Sequence, residues 1–146
     1  MTDTPVTALS ASECQALLRE NRLGRIALAA AGEVDIFPIN YVVDAEERIV
    51  FRTAPGTKLA ELVIRPVVAF EIDGEAEGEL YSVIVKGEAK RLEESAEIAE
   101  AEALPLEPWV PTVKEVFVRI TPTWVTGRRF TPGPEPELDP AGTPSA

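Results

Sequence analysis

The fold of this chain is decided by the stretch from Ile36 to Leu62, which reads IFPINYVVDAEERIVFRTAPGTKLAEL. Two apolar runs, 36–43 and 49–53, are rich in β-branched and aromatic side chains and are separated by a polar turn. Such a pattern is typical of two antiparallel strands. Ala54-Pro55-Gly56 then interrupts the second strand, and Thr57-Lys58 begins an amphipathic helix. We therefore expect strand, turn, strand and helix in immediate succession.

Arg52, Thr53, Thr57 and Lys58 lie where the second strand gives way to the helix. The first N–H groups of a helix have no partner within the helix, and the helix dipole favours an anion beside them. Two cations and two hydroxyl groups around such a helix start suit a phosphate ester. This corner therefore predicts a site for a nucleotide-like ligand or cofactor. The alternative for Arg52 and Lys58 is an ordinary solvent-exposed position.

The strand and helix patterns continue on both sides of this stretch. Ser10 and Glu13 form a capping box ahead of a helix with one apolar face, and Ser95 is expected to cap a polar helix over 96–104. The chain before Leu9 is expected to be irregular. Further strands are predicted at 25–29, 67–73, 80–91 and 114–124, the second and third of these joined by an acidic loop. About six strands with two or three peripheral helices indicate a mainly β, barrel-like body.

The length and the composition of the C-terminal end bound the domain organisation. The chain has 146 residues, enough for one domain, which we place at residues 1–131. Residues 132–146 include five prolines, two glycines and one large apolar residue, so a disordered tail is expected there. No apolar run approaches the roughly 20 residues that a membrane helix needs, and no secretory leader opens the chain. We expect a cytoplasmic protein that does not enter a membrane.

The charge is strongly acidic and unevenly distributed. The formal net charge of −11 argues against non-specific binding to nucleic acid. Residues 67–107 hold twelve acidic and three basic residues, whereas residues 109–132 hold one acidic and four basic residues. The excess of acid is therefore local, and the rest of the body can accommodate an anionic ligand.

The absence of histidine excludes several chemistries. A His-based hydrolytic triad, a His-ligated zinc and a protein histidine ligand to haem are excluded, and no metal site is expected. The single cysteine, Cys14, falls in a helical apolar pattern and is interpreted as a small buried hydrophobic residue. Any chemistry would have to come from a bound cofactor or from carboxylate, hydroxyl, lysine and arginine side chains.

Five segments of the chain, taken in order, resemble the pyridoxamine 5′-phosphate oxidase-like family, the FMN-binding split β-barrels. These segments are Leu23–Ala27, Pro38–Tyr41, Phe51–Lys58, Val68–Asp73 and Tyr81–Gly87. The resemblance covers the body from about Ala8 to Phe130. It implies a split β-barrel of about six antiparallel strands with two or three peripheral helices.

The same resemblance implies a homodimer with two FMN sites at the subunit interface, each formed by both chains. Pro38, Ile39 and Asn40 would line the edge of the isoalloxazine ring through backbone groups. Pro38 also interrupts a strand pattern, which predicts an edge, a bulge or a position that needs no ladder hydrogen bond. Ser82 would stand beside the flavin ring, and Trp124 would pack near the cofactor of the second subunit. The alternative for Trp124 is simple packing.

The family resemblance also assigns roles at the phosphate corner. Arg52 and Thr53 would lie along the ribityl phosphate, and Thr57 and Lys58 would hold the phosphate itself. The family's vitamin B6 oxidases commonly have an Arg-Lys pair where this chain has Thr57-Lys58, and they carry a C-terminal Arg-x-His motif. This chain has no histidine, and its corresponding end is Gly127–Phe130. These departures argue against pyridoxamine 5′-phosphate oxidase activity.

Three functions remain open. The first is an FMN-dependent oxidoreductase that acts on a small molecule by hydride transfer through the flavin. The second is a deazaflavin-dependent reductase, because relatives of the fold use that cofactor; their larger basic groove is not matched by the few cations of this chain. The third is a non-catalytic flavin-binding or regulatory dimer. Fold alone does not distinguish these three functions.

Overall fold

The computed structural model of this protein describes residues 5–30, 32–56, 59–60, 67–106 and 116–135. Within these residues, two helices of more than one turn are present, α1 (Ala11–Glu20) and α2 (Ser95–Glu102). The described strands are β1 (Val6–Ala8), β2 (Leu23–Ala30), β3 (Glu33–Val43), β4 (Ile49–Thr53), β5 (Val67–Ala76), β6 (Glu79–Arg91) and β7 (Val116–Phe130). The expectation of a mainly β protein with peripheral helices is confirmed.

The strands form one antiparallel sheet that closes into a ring. Their order is β1-β7-β4-β3-β2-β5-β6, and β6 pairs again with β7. Six strands therefore make the barrel, while the short β1 adds to the far end of β7 through the pair Val6↔Phe130. This arrangement confirms the expected split β-barrel of about six antiparallel strands.

The barrel is split because β7 changes partners along its length. On one side β7 pairs with β6, and on the other side it pairs first with β4 over 116–120 and then with β1 over 128–130. Helix α1 lies against β7 between these two ladders, where the backbone N–H of Leu9 donates to the carbonyl of Gly127 at 2.9 Å. A Cβ atom at Gly127 would lie 2.6 Å from Cys14 Sγ, so only glycine permits this close approach.

Cys14 is buried at this contact, with 1% of its surface exposed. Burial raises the pKa of its thiol. The prediction of a small buried hydrophobic residue is confirmed.

The interior of the barrel is apolar. The rings of Tyr41 and Phe70 meet edge to face with centroids 4.8 Å apart, and both side chains are fully buried. The hydroxyl of Tyr41 donates to the carbonyl of Leu18 at 2.7 Å, which ties α1 to β3. Burial raises the pKa of Tyr41 well above its usual value, so this hydroxyl stays protonated as a donor.

A second apolar cluster lies outside the barrel beneath α2. Its buried members are Val42, Val50, Leu92, Ala101 and Phe117, and we call them the helix-covered cluster. Successive residues of a strand point to opposite faces, so Phe51 faces the interior while its neighbour Val50 faces this cluster.

Glu97 of α2 holds the helix on this surface. Its carboxylate lies 2.7 Å from Arg119 Nη2 and 3.1 Å from Lys90 Nζ. The hydrogen bond from Lys90 and the adjacent guanidinium of Arg119 hold the pKa of Glu97 below its usual value. These contacts fix α2 across β6 and β7.

The polar turn between β3 and β4 is locked by the side chain of Asp44. Oδ1 accepts hydrogen bonds from the backbone N–H groups of Glu46 and Arg48 at 3.0 and 2.8 Å, and Oδ2 accepts from Arg48 Nε at 2.8 Å. Asp is favoured in turns for this ability to bond its own backbone. The predicted hairpin is confirmed, and its turn sets the position of β4.

Several element boundaries differ from the sequence-based expectation. Helix α2 begins at Ser95, so Ser95 is not its cap; the cap is Glu94, which makes no side-chain hydrogen bond. The predicted acidic loop after β5 is mostly strand, because a two-residue turn with positive φ at Glu77 and Gly78 joins β5 to β6. The chain start contains β1, and β7 continues to Phe130.

Some expectations fall where the structure describes little or nothing. Of the helix predicted after Lys58, the described residues are Leu59 and Ala60, which are helical and buried. The tail predicted at 132–146 is described only over 132–135, which is exposed and outside the strands and helices.

Candidate functional site

The predicted phosphate corner lies where β4 ends. Thr53 has 7% of its surface exposed and faces the barrel interior, whereas Arg52 is half-buried on the outer face. Side-chain alternation along β4 produces this difference. Thr57 and Lys58 lie outside the described residues. Arg52 is therefore the one cation of the predicted corner that lies among the described residues, and it is on the outer surface.

The guanidinium of Arg52 is held by an aromatic ring. Its Cζ lies 5.6 Å from the centroid of the Phe117 ring, and Phe117 is the residue opposite Arg52 in the β4–β7 ladder. Its Nε is buried and has no hydrogen-bond partner, and among the described residues its guanidinium makes no ion pair. Four other arginines are paired with carboxylates, namely Arg25, Arg48, Arg119 and Arg129, whereas Arg91 and Arg128 resemble Arg52 in having no carboxylate partner among the described residues. Within the described part of the chain, therefore, no carboxylate neutralises the charge of Arg52.

The predicted ring-binding segment of β3 lies next to Arg52. Tyr41 pairs with Phe51, so Asn40 and Arg52 are adjacent positions on the outer face. Pro38 is exposed on that face, while Ile39 is 6% exposed and faces the interior. Only the backbone of Ile39 can therefore reach a ligand on the outer surface.

The conformation around Pro38 explains how a proline fits into this strand. Pro38 pairs with Arg25 of β2, while the ladder from β4 reaches β3 only at Tyr41–Val43. On the β4 side, therefore, no ladder hydrogen bond is needed at Pro38, which agrees with the expectation for an interrupting proline.

Ser82 and Trp124 lie on a different part of the outer face. Ser82 is on β6 opposite Asp73 and Arg128, and Trp124 is on β7 opposite Lys86. The alternative of simple packing for Trp124 is not met within a single chain, because 57% of its surface is exposed.

Lys86 and an adjoining cavity give Trp124 the features of a ligand-facing residue. Lys86 Nζ lies 4.6 Å from the centroid of the Trp124 ring. A cavity of about 420 Å³ adjoins Trp124, and its lining includes Gln15 and three charged residues of the β3–β4 turn, Glu46, Glu47 and Arg48.

A single chain does not bring these two groups together. Trp124 lies seven residues along β7 from Phe117, about 23 Å at the usual rise of a strand. Strands β2 and β5 lie between β3 and β6. Ser82 on β6 is therefore three strand spacings, about 14 Å, from Asn40 on β3. Arg52, Pro38 and Asn40 therefore form one half-site, and Ser82 and Trp124, which lie four β6 positions apart, are assigned together to a second half-site on β6 and β7.

Between the half-sites, the outer face carries the ion-paired Arg25, Glu71 and Asp73 beside Pro38, and next to them an apolar, exposed surface. Val34, Ile36 and Val67 have 74%, 65% and 73% of their surface exposed. They share the outer face of β3, β2 and β5 with three alanines, as the pairs Ala29↔Val34, Ala27↔Ile36 and Ala27↔Ala69 show. We call these six residues the bare face: Ala27, Ala29, Val34, Ile36, Val67 and Ala69. Contiguous apolar surface of this kind is typical of an interaction site.

A second cavity, of about 280 Å³, lies between the β3–β4 turn and α2. Val50, Leu92 and Ala101 line its floor, and Arg119 and Glu97 line one wall. Arg52 does not line it. Its walls are the ion pairs that hold α2, so the cavity belongs to the docking of the helix and not to either half-site.

Sequence reasoning missed Phe117 and Lys86. The ring of Phe117 contacts Arg52, and Lys86 contacts the ring of Trp124. Phe117 lies 65 positions after Arg52, and no local pattern links them. Only the β4–β7 register places the ring beneath the guanidinium. The period-two alternation of β6 places Lys86 on the outer face, but its partner Trp124 is set by a register shift at Lys86 and Gly87.

Comparison with known proteins agrees with this geometry. The family model for pyridoxamine 5′-phosphate oxidase matches residues 10–129. The chain is similar to a pyridoxamine 5′-phosphate oxidase-like protein from Corynebacterium glutamicum, with a TM-score of 0.79, 38% identity, and coverage of 92% of this chain and 100% of that one. The chain therefore belongs to the pyridoxamine 5′-phosphate oxidase-like family.

Two further relatives are mycobacterial. The FAD-binding protein from Mycobacterium smegmatis is 45% identical with a TM-score of 0.78, over 87% of this chain and 100% of that chain. An uncharacterized protein of Mycobacterium tuberculosis, strain H37Rv, is 46% identical over 61% of this chain and 81% of its own length. Within the described residues, no helix is long and apolar enough to cross a membrane.

Proposed function

We propose that this protein binds a flavin nucleotide through its FMN portion and acts as an oxidoreductase on a small molecule by hydride transfer. The observation that carries the proposal is Arg52, a cation on the outer face without a carboxylate partner among the described residues. An unneutralised guanidinium beside a strand end is suited to a phosphate ester. Thr57 and Lys58, which follow in sequence, would complete the phosphate site with the first N–H groups of their helix.

The protein's own residues would hold and orient the flavin. The backbone of Pro38, Ile39 and Asn40 would line the edge of the isoalloxazine ring, while Thr53 would support the corner from inside the barrel. When bound, the flavin supplies hydride chemistry that the side chains of this chain lack.

A homodimer would unite the two half-sites. The outer row Ile36–Ala27–Ala69–Lys86–Trp124 crosses the bare face, with Ala69 at its centre. A two-fold axis near that centre would exchange the ends of the row, so Trp124 of the partner would approach the β3 side of the first chain. Burial of the bare face would stabilise such a dimer.

The proposal covers the FMN portion that FMN and FAD share. The M. smegmatis relative is described as an FAD-binding protein, and its 45% identity makes FAD the natural second ligand to test. The same phosphate and ring contacts would serve both nucleotides.

The binding test compares FMN, FAD and riboflavin on the full chain. We expect the change Arg52→Met to weaken FMN about ten- to a hundredfold, because a hydrogen bond to a charged group contributes about 1.5–3 kcal/mol. Riboflavin, which lacks the phosphate, should change little. Lys58→Ala should have the same selective effect. Arg91→Met, which removes an exposed arginine from the end of β6, is the matched control and should leave all three ligands unaffected.

The outcomes separate the alternatives. Equal losses of FMN and riboflavin would show damage to the fold, and no binding of FMN or FAD by the parent protein would reject the cofactor. Preferential binding of a deazaflavin would support the reductase alternative. Catalysis is tested by following the absorbance of the bound flavin under anaerobic conditions with NADPH or NADH. Bleaching supports an oxidoreductase, whereas unchanged absorbance with both donors supports a non-catalytic flavin carrier.

A further inference from the structure

We propose that Phe117 is a positioning residue for Arg52: its ring holds the guanidinium in the orientation that meets a phosphate without neutralising the charge. The proposal rests on the proposed flavin function and adds a residue to the same site. Phe117 itself would not touch the ligand.

The position of Phe117 is fixed by the packing around it. Phe117 is 4% exposed and belongs to the helix-covered cluster beneath α2. Because β4 and β7 pair Arg52 with Phe117, both side chains leave the sheet on the same face. One side of the ring is therefore buried against the cluster. Arg52 Cζ lies 5.6 Å from the ring centroid, on the side of the ring that faces the outer surface.

Arg119 shows what a carboxylate partner does instead. It lies on the same strand and face, two residues from Phe117, and its Nη2 is 2.7 Å from Glu97. That ion pair fixes the Arg119 side chain and offsets part of its charge, because Glu97 is shared with Lys90. An aromatic ring attracts a cation through its quadrupole but carries no net charge. Phe117 can thus restrict the Arg52 side chain and leave its full charge for an anion.

The hydrogen-bonding state of Arg52 agrees with this role. Its Nε is buried and unpartnered, as is that of Arg119, so neither side chain is held at Nε by a hydrogen bond. Its contact with the Phe117 ring is the interaction that orients the guanidinium among the described residues. Within the described part of the chain, no hydrogen bond from the other N–H groups of the guanidinium is present.

The first test is the change Phe117→Leu, which keeps an apolar side chain and removes the ring. We expect FMN to bind about two- to fivefold more weakly, in line with a cation–π contact at a partly exposed site, while riboflavin binding stays unchanged. Phe117→Met, which preserves more of the volume, should behave in the same way. Phe130→Leu is the matched control, because Phe130 pairs with Val6 and Leu80 at the opposite end of β7.

A double-mutant cycle distinguishes positioning from packing. In the Arg52→Met background, Phe117→Leu should have no further effect on FMN, because its target is gone. An equal loss in the parent and in the Arg52→Met background would overturn the proposal and assign Phe117 a purely structural role.

A measurement without flavin keeps the two proposals separable. In ¹⁵N–¹H spectra of the free protein, the Arg52 Nε–H should exchange slowly with water in the parent and in Phe130→Leu, and several-fold faster in Phe117→Leu. Unchanged exchange in Phe117→Leu would overturn the positioning role whatever the flavin result. Failure of the parent to bind FMN or FAD, with the exchange difference present, would reject the flavin function and leave Phe117 as the residue that orients Arg52.

Discussion

The outer surface of this barrel has two apolar regions, one buried beneath a helix of the same chain and the other exposed. The helix-covered cluster lies beneath α2, and Glu97 secures that helix to Arg119 and Lys90. The bare face has no such cover among the described residues, and Val34 remains 74% exposed. The chain uses its own helix to cover one apolar region and presents the other to solvent, which is the arrangement expected if a second chain covers it.

The largest expected effect comes from placing a charge on the bare face. We predict that the parent sediments as a dimer and that Ile36→Glu weakens dimerisation by on the order of a thousandfold or more, because two carboxylates would be buried at a two-fold interface. Flavin binding should fall with it, since each site would lose its second half. Analytical ultracentrifugation over a range of protein concentrations measures the change.

A helix variant is the control for this dimer prediction. Ala99→Glu adds the same charge to an exposed position of α2 and should leave the dimer intact. A parent protein that sediments as a monomer at micromolar concentration would show that the bare face is not a dimer interface.

The next effect is on the stability of the covered region. Leu92 is 5% exposed within the helix-covered cluster, so Leu92→Ala should lower the free energy of unfolding by about 2–5 kcal/mol. Leu80→Ala provides the matched deletion at a residue that is 45% exposed, where the loss should stay within about 0.5 kcal/mol. Urea unfolding at one fixed protein concentration measures both values. Similar losses in the two variants would contradict the distinction between covered and uncovered positions.

The smallest expected effect is a pH dependence of folding stability, which arises where Glu97 of α2 contacts Lys90 and Arg119. Lys90 and Arg119 lower the pKa of Glu97 in the folded protein, so its contribution to stability is complete above the ordinary carboxyl pKa of 4.5. That contribution is lost as the pH falls through the lowered folded value.

The corresponding variant is Glu97→Gln, which cannot titrate. From about pH 6 downward its melting temperature should decline less steeply than that of the parent. Glu93→Gln, at an exposed position just before α2, should follow the parent curve. Parallel curves for the parent and Glu97→Gln would show that the ion pairs of Glu97 do not contribute to folding.

Local patterns in the sequence predict most of the architecture. The alternation of β4 and β6, the polar turn at Asp44 and the capping box at Ser10 and Glu13 all lie within a few residues, and each is present in the structure. β1 escapes prediction because a three-residue strand has no period of its own and depends on its pairing with β7.

The candidate site is less predictable because it depends on pairings between distant strands. The sequence marks Arg52 as a cation at a strand end, but the contact with Phe117 requires the β4–β7 register. Likewise, alternation shows that β3 has an apolar outer side without showing which part of it α2 covers. Val42 lies in the helix-covered cluster while Ile36 of the same strand is 65% exposed.

The partner change along β7 also bears on how the chain reaches its native state. β7 is the last of the described strands in the sequence, yet it pairs with β1, the first of them, and with β4 and β6. Until β7 is available, a growing chain would carry unpaired edges on β4 and β6, and the ring could close only after synthesis had passed Phe130. Contacts of such wide sequence separation slow folding and prolong the exposure of strand edges. Aggregation during synthesis should therefore be most sensitive to changes in β7.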